Sequence, residues 1–202
     1  MTLWRGRNPL ILASQSRTRQ MLLANAGLAF EAIPAAIDER SLQQASKFSA
    51  PGEVAALLAR EKANWGAERK AGHYVIGADQ TLALGNRLFN KPDGWAAAAE
   101  QLRALSGRTH ELHSAIAVAL DGKIMFETVA TARMSMRPLS GDDIRLYLDE
   151  AGEAVTTSVG AYQLEGLGVH LFERIEGDHF TILGLPLLPL LGFLRRERLI
   201  GL

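Results

Sequence analysis

The chain has 202 residues, of which 48% are hydrophobic and 22% are charged, enough to bury the core of one domain. Its 22 basic and 22 acidic residues give a formal net charge of zero, which argues against a general electrostatic grip on nucleic acid or an anionic membrane. Cysteine is absent, which excludes disulfides, thiolate metal sites and cysteine nucleophiles. The apolar run Leu10–Ala13 is too short for a signal peptide or a membrane span, so we expect a soluble cytoplasmic protein.

The segment 9–27 predicts a short buried strand that runs directly into a helix ended by Gly27. Two hydroxyls and two cations stand at the junction: Ser14, Ser16, Arg17 and Arg19. The N–H groups and dipole of a helix N-terminus attract anions, so a phosphate would suit this position. Taken alone, the pattern favours a simple N-cap at Ser14 or Ser16 with solvated arginines.

Two further elements follow the first helix. Phe30–Ile33 predicts a brief strand, and the polar stretch after it places Glu39 in a loop, where a carboxylate is solvated by default. The next helix is predicted to start near Ser49, with Pro51 in its first turn. Lys62 lies on this helix, where a lysine is more often at the surface than in a site.

The segment His73–Asp79 predicts a second short strand that ends in an acidic residue. Open α/β sheets bind ligands at the carboxyl ends of their strands, so Asp79 carries the most weight among the carboxylates; the alternative is a capping role. A hairpin is predicted around Gly85–Asn86, and Lys91 begins a turn into an alanine-rich helix over 95–105.

The second half of the chain predicts two long strands, His110–Leu120 and Lys123–Met136, joined by a tight turn at Asp121–Gly122. A helix begins at Ser140, and the glycine-rich segment Val159–Gly168 precedes the last strand and a leucine-rich helix. Strand–helix units mixed with a long hairpin predict an α/β or α+β fold with a mixed sheet, formed by the whole chain as one domain.

Familiar nucleotide and hydrolase motifs are missing from the sequence: there is no G-x-G-x-x-G after a strand, no G-x-x-x-x-G-K-[ST] and no G-x-S-x-G. His110 and His113 are three apart on a predicted strand, so they face opposite sides and cannot share a metal. Carboxylates and lysines near element ends remain as candidates: Asp38, Glu39, Asp79, Glu165, Lys62 and Lys91. If the carboxylates converge on the anion site, they would offer hard oxygen ligands to Mg²⁺ or Mn²⁺.

Eight stretches of the chain, taken together, carry a family signature. They are LILASQSRTRQMLL, AIDE, AREKA, VIGADQT, NKP, LSGRTHE, GAYQLEGLG and FERIEGDHFTILGLPL. In this order they cover nearly the whole chain, and the set resembles the Maf family of nucleoside triphosphate pyrophosphatases. The resemblance implies an α/β fold like that of inosine triphosphate pyrophosphatases, with a nucleotide cleft between two lobes and usually in a homodimer. It also implies release of a nucleoside monophosphate and pyrophosphate.

The resemblance assigns roles to residues that match the family motifs. Ser14, Ser16 and Arg19 would hold the triphosphate, and Lys62 and Lys91 would neutralise its charge. The remaining two matched residues would serve the divalent metal and the attacking water: Glu39 and Asp79. Asp79 is the candidate general base. This role agrees with the chemistry, because hydrolysis at the α-phosphorus requires cations that neutralise the phosphate charge and a base held near the attacking water.

Four positions either depart from the family pattern or match one branch of the family and not the other. Arg17 stands where most relatives have Pro, and Thr18 matches neither the Arg of the pyrimidine-preferring branch nor the Trp of the 7-methylguanosine branch. Gln80 and Glu165 resemble the 7-methylguanosine branch. We predict that both bind the substrate together with Thr18, the residue of its stretch expected to touch the base. A carboxylate at Glu165 could accept both N–H groups of a guanine edge, so we predict a guanine-type or modified-purine preference.

Two other functions are consistent with parts of this pattern. A nucleotide-binding regulator of cell division with little or no hydrolysis is one, since the family is linked to septum formation. A structural or interaction domain that binds anions incidentally is the other. The intact set of Glu39, Lys62, Asp79 and Lys91 favours the enzyme over the regulator. The structural domain would show no metal-dependent turnover.

Overall fold

A computed structural model describes residues 3–46 and 50–201. Its strands are β1 (Leu10–Leu12), β2 (Phe30–Ala32), β3 (Val75–Leu84), β4 (Arg87–Phe89), β5 (Thr109–Leu120), β6 (Lys123–Met136) and β7 (Phe172–Glu176). Its helices are α1 (Arg17–Asn25), α2 (Glu39–Ala45), α3 (Pro51–Ala67), α4 (Gly94–Leu105), α5 (Gly141–Ala151), α6 (His179–Ile182) and α7 (Leu187–Arg196). No helix within these residues is long and apolar enough to span a membrane.

The strands form one mixed sheet in the order β2-β1-β3-β5-β6-β7, with β4 pairing to β3 outside this path. β1 is parallel to β2 and β3, while β5, β6 and β7 continue the sheet in antiparallel fashion. The parallel strands β1 and β2 are joined through α1, because two neighbouring parallel strands need a crossover connection. The predicted α/β class with a mixed sheet is therefore confirmed.

Local signals in the second half of the chain are also confirmed. The turn between β5 and β6 has positive φ at Asp121 and Gly122, 47° and 76°, as the sequence pattern requires. The side chain of Ser140 accepts from the backbone N–H of Asp143, and the Asp143 carboxylate accepts in return from the N–H of Ser140. This capping box starts α5 where it was predicted.

Two predictions about the first half need correction, and a third falls outside the described residues. The strand predicted to end at Asp79 continues to Leu84, because β5 supplies pairing partners along its edge from Val75 to Ala83. Glu39 lies in the first turn of α2 rather than in a loop, since Asp38 caps that helix by accepting from the N–H of Ser41 at 3.0 Å. The predicted helix start near Ser49 lies outside the described residues, and α3 is described from Pro51.

One edge of β3 is shared by two short strands that leave a gap between them. β1 pairs with Val75 and Ile76, whereas β4 pairs with Leu82–Leu84. The opposite edge of β3 is occupied by β5 from Val75 to Ala83. Residues 77–81 thus have no strand partner on the first edge among the described residues. Asp79 is in the middle of this gap.

The two faces of the sheet are packed with residues of different size. The face under α3 is lined almost wholly by small side chains, including Ala59 and Ala63 of the helix and Ala115 and Ala117 of β5. A Cβ added at Gly77 would lie 2.1 Å from the backbone oxygen of Ala59, so β3 and α3 are almost in backbone contact. The other face packs leucines of α1 and α7 together with Phe193 of α7. The small-residue face brings α3 close enough for its side chains to reach β3.

Candidate active site

The β1–α1 junction places two serine hydroxyls next to a partly buried arginine. Ser16 is the N-cap of α1, and its Oγ accepts from the backbone N–H of Arg19 at 3.3 Å. Ser14 is only 8% exposed, and its Oγ accepts from the N–H of Ser16 at 3.2 Å and from Nη1 of Arg19 at 3.5 Å. The N-cap interpretation is therefore right for Ser16. Triphosphate binding by these two residues stays a prediction.

Arg19 is anchored to the fold, in contrast to exposed Arg17. Its Nε donates to the carbonyl of Gly184 at 2.8 Å and its Nη1 donates to the carbonyl of Ala78 at 2.8 Å. Ala78 belongs to the part of β3 that has no strand partner on this edge. Burial lowers the pKa of the guanidinium, while the negative charges of Asp79 and Glu39 act in the opposite direction. The guanidinium thus supplies fixed positive charge at the gap.

Lys62 joins two carboxylates from different elements. Its Nζ lies 2.6 Å from Oδ1 of Asp79 on β3 and 2.8 Å from Oε1 of Glu39 on α2. The side chains of Lys62 and Asp79 are about equally buried, at 10% and 11% exposure, while that of Glu39 is half exposed. Lys62 reaches β3 because Gly77 lets the backbones of α3 and β3 approach closely. The default expectation of a surface lysine is therefore wrong.

The environment of Asp79 changes its acidity. Burial raises the pKa of its carboxyl, and the nearby charges of Lys62 and Arg19 partly offset that effect. A carboxylate whose pKa lies above its ordinary range is a stronger base than an exposed one. Asp79 is also fixed at the gap in the sheet, where a ligand could approach it. Its position suits a group that takes a proton from water.

The arrangement fits a divalent cation shared with a ligand. No group of three or more histidine, aspartate and glutamate residues in the described segments could enclose an ion by itself. Lys62 holds one oxygen of Asp79 and one of Glu39, which leaves the second oxygen of each carboxylate for another partner. Mg²⁺ is commonly bound by one or two carboxylates together with substrate phosphates and waters. Glu39 and Asp79 match that requirement.

The two residues predicted to select the base meet across the site. Oγ1 of Thr18, in the first turn of α1, donates to Oε1 of Glu165 at 3.0 Å, although they are 147 residues apart in the chain. Both are at the surface next to the Ser16–Arg19 end of α1. Neither Arg nor Trp stands at position 18, and the threonine hydroxyl instead orients the Glu165 carboxylate.

Gln80 is engaged within the protein. Its Nε2 lies within hydrogen-bond distance of Oγ of Ser114 at 2.8 Å and of the carbonyls of Thr181 at 3.2 Å and Ile182 at 3.0 Å. These contacts hold α6 and the following turn, which carries Gly184, against the sheet. The amide oxygen of Gln80 remains for a substrate, so substrate contact by Gln80 stays a prediction.

Comparison with known proteins places the chain in a family. A family model described as Maf-like protein matches residues 9–197. The chain belongs to this Maf family. A protein of Bradyrhizobium diazoefficiens named nucleoside triphosphate pyrophosphatase is 69% identical over 201 residues, with full coverage of both chains. A protein of Rhizobium etli named 7-methyl-GTP pyrophosphatase is 55% identical over 188 residues, which is 92% of this chain and 94% of that one.

The Maf family membership predicted from the eight sequence stretches is thus confirmed. Among solved structures, a HAM1 protein from Coxiella burnetii is 19% identical and has a TM-score of 0.39, covering 63% of this chain and 72% of that one. A likeness at that level carries no argument about this protein. The predicted two-lobed cleft stays a prediction.

The structure of this Maf protein brings most of the predicted residues to one edge of β3. The ion-paired group of Glu39, Lys62 and Asp79 adjoins Arg19, which touches both the Ser14 hydroxyl and β3. Lys91 follows β4, whose antiparallel course runs back toward the gap. Lys91 is exposed and forms no salt bridge to another described residue. Its catalytic role therefore stays a prediction.

Sequence reasoning missed two glycines that shape the site. Gly77 sets the α3 approach, and a glycine inside a strand is a known sign of close backbone contact. Gly184 has a φ of 86° and supplies the carbonyl that holds Arg19. A Cβ at Gly184 would lie 3.5 Å from the Arg19 guanidinium, in ordinary contact, so its backbone conformation is the stronger requirement for glycine.

Proposed function

We propose that this Maf protein hydrolyses nucleoside triphosphates at the α-phosphorus and releases a nucleoside monophosphate and pyrophosphate. The observation that carries the proposal is the Glu39–Lys62–Asp79 cluster at the open edge of β3, next to Arg19. It joins a placed carboxylate to fixed cations, which is what phosphoryl transfer needs. The names of the two relatives support the same reaction class.

In the proposed reaction, Asp79 orients a water molecule and accepts a proton from it as the oxygen attacks the α-phosphorus. The bond from that phosphorus to the bridging oxygen breaks, and pyrophosphate leaves. Ser14, Ser16 and Arg19 hold the triphosphate, while Lys62 and Lys91 neutralise charge that builds up on it. Lys62 also fixes the orientation of Asp79 through their 2.6 Å contact.

We further propose that Glu39 and Asp79 bind Mg²⁺ or Mn²⁺ together with the triphosphate. When bound, the metal would supply positive charge that stabilises the phosphate oxygens. The residues support this proposal because each carboxylate retains an oxygen that Lys62 does not contact. A homodimer in the cytoplasm completes the proposal, with no nucleic-acid or membrane partner. The zero net charge of the chain is consistent with that choice of partners.

For the base, we propose a guanine-type or modified-purine preference read by Glu165. The carboxylate can accept two N–H groups of a guanine edge and would offset the positive charge of a 7-methylated ring. The Thr18 hydroxyl orients this carboxylate by donating to Oε1 of Glu165 at 3.0 Å. The relative named 7-methyl-GTP pyrophosphatase supports this preference. Gln80, through its amide oxygen, is the second proposed base contact.

The test is an assay of pyrophosphate release with GTP, 7-methyl-GTP, UTP and dTTP, in Mg²⁺, in Mn²⁺ and in excess chelator. We expect metal-dependent release that is fastest with one of the guanine nucleotides. Glu165→Gln should change the order of substrates, whereas Glu100→Gln, on the exposed side of α4, should not. Faster turnover of UTP and dTTP than of both guanine nucleotides would contradict the base preference.

The same assay, together with a measurement of ligand binding, decides between the enzyme and the two other functions. A nucleotide-binding regulator would bind the triphosphates with no pyrophosphate release in any metal. An incidental anion-binding domain would bind inorganic triphosphate as well as it binds a nucleotide. Sedimentation of the same samples tests the homodimer.

A further inference from the structure

The segment that carries Glu165 is folded tightly on itself. We define residues 162–168 as the recognition loop. Within it, the N–H of Gly166 donates to the carbonyl of Gln163 at 3.2 Å. A Cβ added at Gly168 would lie only 2.4 Å from that same carbonyl oxygen. Because the recognition loop is this compact, the position of Glu165 depends on how the base of the loop is held.

The base of the recognition loop is bonded to the sheet by a buried pair. The hydroxyl of Tyr162 lies 2.7 Å from Nε2 of His110 on β5. His110 is fully buried, and Tyr162 is 5% exposed. The Tyr162 ring also packs edge-on against Phe172, with their centroids 4.8 Å apart. The catalytic cluster has no part in this contact.

The imidazole of His110 depends on Tyr162 for its hydrogen bonding. Its other nitrogen, Nδ1, is buried and has no hydrogen-bond partner in the part of the chain that the structure describes. Burial lowers the pKa of His110 to about 4, so the ring is neutral near pH 7. Removing the tyrosine hydroxyl would leave both ring nitrogens of a buried histidine without a partner.

Neighbouring contacts tie the backbone just before the recognition loop to two helices. The N–H of Gly160 donates to Oε1 of Gln101 on α4 at 3.0 Å, and the hydroxyl of Tyr147 on α5 donates to the carbonyl of Ala161 at 3.2 Å. These bonds involve backbone atoms of the segment. The Tyr162–His110 bond differs because it joins a side chain of the loop directly to the central sheet.

We propose that the His110–Tyr162 hydrogen bond positions Glu165 and thereby sets base selectivity, although neither residue touches the substrate. This inference rests on the proposed function, in which Glu165 reads the base. The loop transmits the position of its fixed base to the carboxylate, which then meets Thr18 at 3.0 Å. His110 and Tyr162 are therefore positioning residues for recognition, separate from the catalytic cluster.

The experiment compares Tyr162→Phe with the wild-type enzyme. This change keeps the ring and its packing on Phe172 and removes only the hydroxyl. We expect the ratio of kcat/KM for the best guanine nucleotide to that for UTP to fall about 3- to 10-fold, the equivalent of one hydrogen bond. The loss should be in KM, while kcat for the best substrate stays within about twofold, because the catalytic cluster is unchanged.

A distant hydrogen bond provides the matched control. Trp4→Phe removes the bond from Nε1 of Trp4 to the carbonyl of Asn8 at 2.8 Å, away from the recognition loop. It should lower the melting temperature with no change in the selectivity ratio. If Tyr162→Phe does not fold, His110→Phe tests the same bond from the other side. An unchanged ratio in a folded variant overturns the proposal.

A double-variant cycle tests whether the effect passes through Glu165. In the Glu165→Gln background, Tyr162→Phe should produce no further change in the ratio, because the carboxylate that the loop positions is already gone. Full additivity of the two changes overturns the proposal. Wild-type protein that turns over every base at one rate also overturns it but leaves the proposed hydrolysis intact. Wild-type protein that releases no pyrophosphate overturns the proposed function itself.

Discussion

Asp79 and Lys62 lie in the interior of the fold, whereas Thr18 and Glu165 meet at its surface. The first pair belongs to a ten-residue strand and a 17-residue helix whose backbones are almost in contact at Gly77. The second pair joins the first turn of a helix to a loop through one hydrogen bond. The side chains proposed for catalysis are thus positioned by the core, and the residues proposed for base selection are positioned by surface segments.

This difference teaches where the protein can change without losing its chemistry. If Glu165 reads the base as proposed, an altered loop around it would affect which base is accepted but would leave the 2.6 Å contact of Lys62 with Asp79 in place. A change in the small-residue face would affect both stability and turnover. Variants of the two regions should therefore separate the rate of hydrolysis from substrate choice.

The largest expected effect is that of Asp79→Asn. Loss of the proposed base should lower kcat by about 10²- to 10⁴-fold, with nucleotide binding retained, because the cations of the site remain. Pyrophosphate release and calorimetric binding measure the two quantities. Asp149→Asn, on the exposed side of α5, is the matched control and should act as wild type.

Gly77→Ala is the next largest and tests whether the small-residue face sets the catalytic geometry. The new methyl group would overlap the backbone at Ala59 and Ala63, which cannot rotate away, so α3 must move from the sheet. We expect a loss of about 1–3 kcal/mol in the free energy of unfolding and about 100-fold in kcat. Gly141→Ala is the control: a Cβ added at this helical position would meet no atom of another part of the protein within 4 Å, so neither quantity should change. Equal activity of both variants would contradict this account.

The acidity of Asp79 gives a third prediction. Burial raises the pKa of the Asp79 carboxyl. We therefore expect kcat/KM to fall as the pH decreases, with a midpoint above the ordinary aspartate pKa of about 3.9. The active form is deprotonated, so activity is present above that pKa and is lost below it. Lys62→Gln removes a charge that lowers this pKa and should move the acid limb to higher pH. A downward movement would show that another group titrates.

The smallest expected effect is at the surface. Thr18→Val removes the hydroxyl that contacts Glu165 and should lower the guanine-to-uridine selectivity ratio about twofold, as for one exposed hydrogen bond. Thr18→Ser retains the hydroxyl and should retain the ratio. Because Thr18 lies apart from the ion-paired cluster, kcat should stay at the wild-type value in both variants. A large fall in kcat would mean that the two regions are not separate.

The sequence allowed prediction of the fold features that depend on neighbouring residues. The Asp121–Gly122 turn and the Ser140 capping box are examples, since their signals lie within a few residues. The full length of β3 was not predictable in this way, because it depends on pairing with β5, which follows α4 in the chain. Local polarity had suggested an end at Asp79.

The candidate site shows the same limit. Residue types and family resemblance pointed to Lys62 and Asp79, but the burial of Lys62 depends on a backbone approach at Gly77 that no local pattern reveals. The contact between Thr18 and Glu165 joins residues 147 apart, and the His110–Tyr162 pair joins residues 52 apart. Such contacts are properties of the assembled sheet and its loops.

The gap along β3 has a consequence for association with other chains. Unpaired strand edges are hazards, because a foreign strand can add to them and start aggregation. Here β1 and β4 flank residues 77–81 on the same edge, and the Arg19 guanidinium donates a hydrogen bond to the carbonyl of Ala78. An incoming strand would find too short a template, with part of it already bonded. The opening proposed for a nucleotide is thereby closed to a polypeptide strand.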